Sequence, residues 1–81
     1  MSFNQELNLN QLPLGSLGQV VHLETQGIMR RRLLDLGLVP GTLVEAVRKS
    51  PAGDPVAYKI RGAIIALRSE ESRLVTVRPL A

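Results

Sequence analysis

Glycine and proline set the first limit on how this 81-residue chain can fold: seven of one and five of the other leave open segments at residues 19–26, 28–36, 42–50 and 56–61. Each segment has the length of a strand or of one short helix. The longer stretch 63–78 is broken by the polar run Ser69-Glu70-Glu71-Ser72. A helical bundle is thereby excluded, because helices this short are marginal unless another element buries one face. A membrane-spanning helix is excluded too, since the longest apolar run, Ala63 to Leu67, falls far short of the ~20 residues needed. The length suits one domain, able to bury roughly 60% of its unfolded surface.

Hydrophobic periodicity assigns the pieces. From Gln19 to Thr25 the pattern alternates, which places Val21 and Leu23 on one face and Val20, His22 and Glu24 on the other. The period then changes: Met29, Leu33 and Leu36 stand at i, i+4 and i+7 among arginines, predicting one short amphipathic helix. Thr25 is placed to cap its start, Gly37 to end it in the left-handed conformation, and Pro40 to prevent continuation. Val44 and Ala46 alternate with Glu45, then the turn cluster Ser50 to Pro55 leads into Val56, Tyr58 and Ile60. Gly62 turns the chain into the apolar run 63–67, the polar run 69–72 supplies a turn or a single helical turn, and Val75 and Val77 form the last strand before Pro79.

About five short strands cannot build two covered sheets, so the expected architecture is mainly β: a small SH3-like barrel with one short helix inserted between its first and second strands. The expected core is Leu33, Leu34, Leu36, Val44, Ile60, Ile65, Leu67, Val75 and Val77. Residues 1–8 are polar and aperiodic and read as a flexible N-terminal arm, with the domain occupying 9–81. The opening MSFNQELNLN lacks both a basic and an apolar leader region, which predicts a protein kept in the cytoplasm.

The chemistry available is narrow. With no cysteine, sulfur redox chemistry and Cys-type metal sites are excluded. The single histidine, His22, has Glu24 on the same strand face, but a metal site needs three or four ligands and no second His or Cys completes it. No serine lies close to His22 in sequence, so no nucleophile–base pair can be named, and neither enzymatic activity nor a cofactor is expected. Gly15-Ser16-Leu17-Gly18 lacks the Lys-Ser/Thr ending of a phosphate loop and precedes a strand, which makes it a turn. A net charge of +3 and ten basic residues invite a nucleic-acid reading, but Phe3 and Tyr58 are the only aromatics, so stacking platforms are almost absent. Arg30, Arg31 and Arg32 sweep about 200° of the helix surface and cannot all serve one partner. Asp35, in the last turn where the helix dipole disfavours an anion, is placed for a contact beyond the helix.

Two runs carry a family resemblance. RRLLDLGLVPG at residues 31–41 and SPAGDPVAYKIRGAIIALR at 50–68 resemble the ferrous iron transport protein A family, FeoA. Arg32, Leu33, Leu34, Leu36 and Gly37 match its helix, Pro40 and Gly41 its turn, Pro51, Gly53, Asp54 and Pro55 its loop, and Ala66, Leu67 and Arg68 its strand ending. The resemblance covers roughly residues 9–78, and two motifs at matching separation are more specific than either alone. It implies an SH3-like domain in the cytoplasm that supports ferrous iron uptake beside FeoB, a membrane transporter with a cytosolic G-protein domain. On that reading the partner surface is the exposed side of the helix with the Ser50–Pro55 loop: Arg30 and Arg31 attract, Pro51 belongs to a loop whose prolines preset its backbone, and Asp54 either orients the partner or only fixes its own turn. A small nucleic-acid-binding barrel is the alternative reading.

Overall fold

The computed structural model describes residues 5–80. In chain order they form β1 (Leu7–Asn8), a 3-10 turn (Leu9–Gln11), β2 (Leu17–Leu23), α1 (Gly27–Asp35), β3 (Leu43–Lys49), β4 (Val56–Ile60), β5 (Ala63–Leu67), α2 (Ser69–Ser72) and β6 (Val75–Leu80). All six strands lie in one antiparallel sheet, ordered β1-β6-β2-β3-β4-β5. The sixth strand, beyond the five expected, is β1. Leu7 faces Val77 and Asn8 faces Thr76, so pairing begins inside the stretch expected to be an arm; residues 1–4 lie outside the described residues. A two-residue strand is too short to show any alternation, which is why the pattern missed it. The sheet is open in its hydrogen bonding, yet residues from the 3-10 turn, α1 and β2 through β6 meet in one core.

Two bulges rotate strand faces. Val20 faces Val77 and His22 faces Thr76, leaving Val21 as an extra residue on β2. The expected phase is therefore corrected. Val20 is buried with Leu23, Val21 is only half-buried, and the outward face retains His22 and Glu24 without Val20. A second bulge on β3 leaves Val47 unpaired and exposed between Ala46, opposite Tyr58, and Arg48, opposite Ala57.

The end of α1 holds the helix against the sheet. Gly37 N–H donates to the Leu34 carbonyl at 2.9 Å and Leu38 N–H to the Leu33 carbonyl at 3.1 Å, while Gly37 takes φ +103°. This is a Schellman stop, and its usual apolar contact is supplied by Leu33 and Leu38, both fully buried. At the other end, Gln26 rather than Thr25 occupies the cap position and makes no side-chain bond, because the helix starts at Gly27.

Of the expected core, Leu33, Val44, Ile60, Leu67, Val75 and Val77 are buried, while Leu34, Leu36 and Ile65 pack against it from partly exposed positions. Leu9, Leu12, Leu23, Leu38, Ala46 and Tyr58 join them. Tyr58 lies across the core with its hydroxyl donating to the Leu9 carbonyl at 3.4 Å, and burial raises its phenol pKa above the ordinary 10.0. The neutral phenol is thus favoured by folding. This contribution is fully present below pH 10.0, the ordinary phenol value, and is lost as pH rises through the higher folded value.

Three outcomes follow. Leu38→Ala should cost about 2–5 kcal/mol in urea unfolding, more than Leu36→Ala at its half-exposed site. Gly37→Ala should cost more than Gly41→Ala, although both glycines have positive φ, because a Cβ at 37 would lie 3.1 Å from Ile60 Cγ2 and Arg61 Cδ whereas one at 41 meets nothing within 4 Å. Equal losses would refute the close approach. Finally, the urea midpoint of the native chain should fall more steeply than that of Tyr58→Phe as pH is raised above about 10.

Candidate functional site

The two regions expected to meet a partner are joined through α2. On the loop side, the Asp54 carboxylate accepts the Ser69 N–H at 2.8 Å, satisfying one of the open donors at the start of α2. Its second oxygen lies 3.8 Å from Arg68 Nη1. On the helix side, Arg32 Nε donates to Glu71 Oε2 at 2.8 Å, and the other oxygen of Glu71 accepts the Arg68 N–H at 3.2 Å. One helical turn is therefore held from the loop by Asp54 and from α1 by Arg32.

The loop also closes on itself. Ser50 N–H donates to the Pro55 carbonyl at 3.1 Å and Gly53 N–H to the Ser50 carbonyl at 2.8 Å, with a cis bond between Asp54 and Pro55. Pro51 stands exposed at the tip. Asp54 is half-buried, with one carboxylate oxygen on the Ser69 N–H and the other facing Arg68.

The three arginines divide as helix geometry requires. Arg32 is turned toward α2, while Arg30 and Arg31 are exposed and form no ion pair among the described residues. Asp35, also exposed, has no ion pair within the chain among the described residues. Beside the arginines, Ile28 in the first helical turn is 89% exposed, the most exposed large apolar side chain described. Sequence reading passed over Ile28 because it lies off the Met29–Leu33–Leu36 stripe; that displacement, on a helix side otherwise carrying the charged Arg31 and Asp35, was the available signal. Nothing local could have paired Arg32 with Glu71, which lies 39 residues away.

The surroundings of His22 offer no catalysis. Glu24 Oε1 lies 2.7 Å from its Nε2 and Thr76 Oγ1 lies 3.5 Å from that same nitrogen. A relay needs a base on one ring nitrogen and the reacting hydroxyl on the other, so this arrangement cannot activate Thr76. Among the described residues no group of three or more His, Cys, Asp or Glu side chains converges to hold a metal. An open groove of about 340 Å³ between β2, β3 and β4 is floored by Leu17 and Leu43 and edged by Glu45, Lys59 and Arg61. Thr42 and Gly62 complete its lining, which contains no histidine. No helix of the described residues is long and apolar enough to cross a membrane.

Comparison with known proteins agrees with this geometry. The family model of the FeoA domain matches residues 7–79. A fusion of Fe(2+) transport protein A with the Fe(2+) transporter FeoB, from Porphyromonas gingivalis, is 32% identical over 71 residues; the match covers 88% of this chain but only 8% of that protein. The solution structure of a FeoA protein from Chlorobium tepidum is 35% identical, covering 93% of this chain and 71% of that one, with a TM-score of 0.85. A crystal structure of Stenotrophomonas maltophilia FeoA complexed with zinc, described as a prokaryotic SH3 domain protein, is 33% identical over 85% of this chain and 86% of that one, with a TM-score of 0.76. The expected SH3-like fold is thereby shown for this chain.

The connection through α2 has measurable consequences. Asp54→Ala should destabilise the fold by about 1 kcal/mol, and Asp54→Asn by less because an acceptor oxygen remains. In a double-mutant cycle Arg32 and Glu71 should couple by about 0.2–1 kcal/mol, falling as salt is raised, since the arginine is half exposed. Zero loss in Asp54→Ala would break the link between loop and α2.

Proposed function

This chain belongs to the FeoA domain family, and from that membership we propose that it is a non-catalytic cytoplasmic docking module that regulates or assembles a FeoB-like ferrous iron transporter through the transporter's cytosolic G-protein domain. The observation that carries this reading is the exposure of Arg30 and Arg31 on α1, with exposed Ile28 one turn before Arg31, while Arg32 is engaged with Glu71. Exposed guanidiniums suit an acidic surface, because Arg makes bidentate contacts with carboxylates, and Ile28 one turn before Arg31 offers that arginine an apolar neighbour. The Pro51 tip, held to α1 through α2, extends the same surface without further ordering cost. Fusion of the two activities in the Porphyromonas gingivalis protein supports a working association between such domains.

Nucleic-acid binding has no comparable support. Tyr58 is buried, which leaves no exposed aromatic among the described residues on which a base could stack.

Charge reversal tests the proposal. Arg30→Glu with Arg31→Glu should leave the melting temperature within about 2–4 °C of the native chain, since exposed substitutions change stability by about 0.5 kcal/mol or less. Pull-down by the isolated cytosolic domain of a FeoB-like transporter should be abolished. Undiminished capture by the folded double variant would place the interface elsewhere on the domain.

A further inference from the structure

Strand β5 is the one long edge of the sheet, and among the described residues nothing pairs with its outer side. The opposite edge, β1, is two residues long, and shortness is itself a protection against stray pairing. β5 has no such protection. Its sequence is Ala-Ile-Ile-Ala-Leu, without charge or proline, and its pairing with β4 runs unbroken from Ala63 to Leu67. The two-residue turn Arg61-Gly62, with φ +52° and +86°, makes Ile60 and Ala63 a hydrogen-bonded pair. By alternation the main-chain groups of Ala63, Ile65 and Leu67 face β4, and those of Ile64 and Ala66 point outward. Ile64 is 54% exposed on the outer surface of the sheet.

We propose that the β5 edge receives an extended segment of a protein partner as an added antiparallel strand, with β-branched residues at its centre and acidic residues at its ends. The charges that flank the edge specify the acids. Arg61 lies before β5 without an ion pair among the described residues, Arg68 follows it with a side chain 64% exposed though 3.8 Å from the Asp54 carboxylate, and Lys59 stands beside Ile64 on β4. Outward main-chain groups supply the affinity of strand addition, and the small Ala63 and Ala66 leave room for branched side chains on the incoming strand. A second copy of this chain is a poor occupant. Antiparallel pairing about Ile65 would set each Arg68 opposite the other copy's Gly62 and beside its Arg61, bringing like charges together at both ends. This strand edge is distinct from the exposed side of α1, although Arg68 reaches the Ser50–Pro55 loop at Asp54, and it goes beyond the docking proposed there.

The probe is the peptide acetyl-EVTVTVE-amide, titrated into the 15N-labelled full chain, with a counterpart in which both Glu are Lys. Saturable shifts should centre on the Ile64 and Ala66 amides, whose hydrogen exchange should slow, and the Lys-ended peptide should bind at least about tenfold more weakly. Ala66→Pro removes one outward N–H while sparing those that face β4, and should abolish the shifts. Should that variant not fold, Ile64→Lys on the same edge gives the same reading. The proposal is overturned by shifts centred on the Leu17–Leu43 groove, by equal affinity for the two peptides, by unchanged binding in the edge variants, or by no shift at millimolar peptide. Concentration-dependent dimerisation lost in Ile64→Lys would overturn it in favour of a second copy.

Discussion

The approach of Gly37 to the β4–β5 turn is the constraint on which the placement of the helix depends. The chain must leave α1 within one residue and pass so near Ile60 and Arg61 that a Cβ would lie 3.1 Å from each. Only a residue without a Cβ, free to adopt φ +103°, meets both demands. The stop then drives Leu33 and Leu38 into the core from opposite sides of the joint, which fixes the rotation of α1 about its own axis. Rotation decides the chemistry of the surface. With Leu33 inward, Arg32 reaches Glu71, and Arg30 and Arg31 are left to solvent.

The same joint explains what could be read in advance. Gly37 and Pro40 announced the helix end because the left-handed residue and the following proline are local requirements. The apolar positions of β4 and β6 were legible because neither strand carries a bulge ahead of them. Val20 was misplaced because an extra residue at Val21 reverses the alternation, and a bulge leaves no trace in hydrophobicity. Leu36 looked like core by helical spacing, yet it sits at the helix cap, where the chain has begun to turn away and its side chain is half exposed. Leu38 was missed for the complementary reason, since it follows the glycine and its burial arises from the stop rather than from any period.

At the candidate site the division is similar. Exposure of Arg30 and Arg31 followed from their distance from the apolar stripe, which is a property of one helix. The role of Asp54 depended on α2 folding beneath it, and the role of Arg32 on a carboxylate 39 residues away, so both were invisible to local pattern. Asp54, expected to orient a partner or to fix its own turn, accepts the Ser69 N–H at the start of α2. On the outward side of α1, Arg31 lies between exposed Ile28 one turn before it and exposed Asp35 one turn after it.

The central claim is that a rigid small SH3-like domain presents the outer face of α1 to the cytosolic domain of an iron transporter. Hydrogen–deuterium exchange of the full chain with and without that domain reads the contact directly. The account predicts added protection concentrated in residues 27–35 and 50–55, with exchange in β2 and β6 unchanged. Protection confined to the strands, with both of those segments exchanging as in the isolated chain, would contradict it.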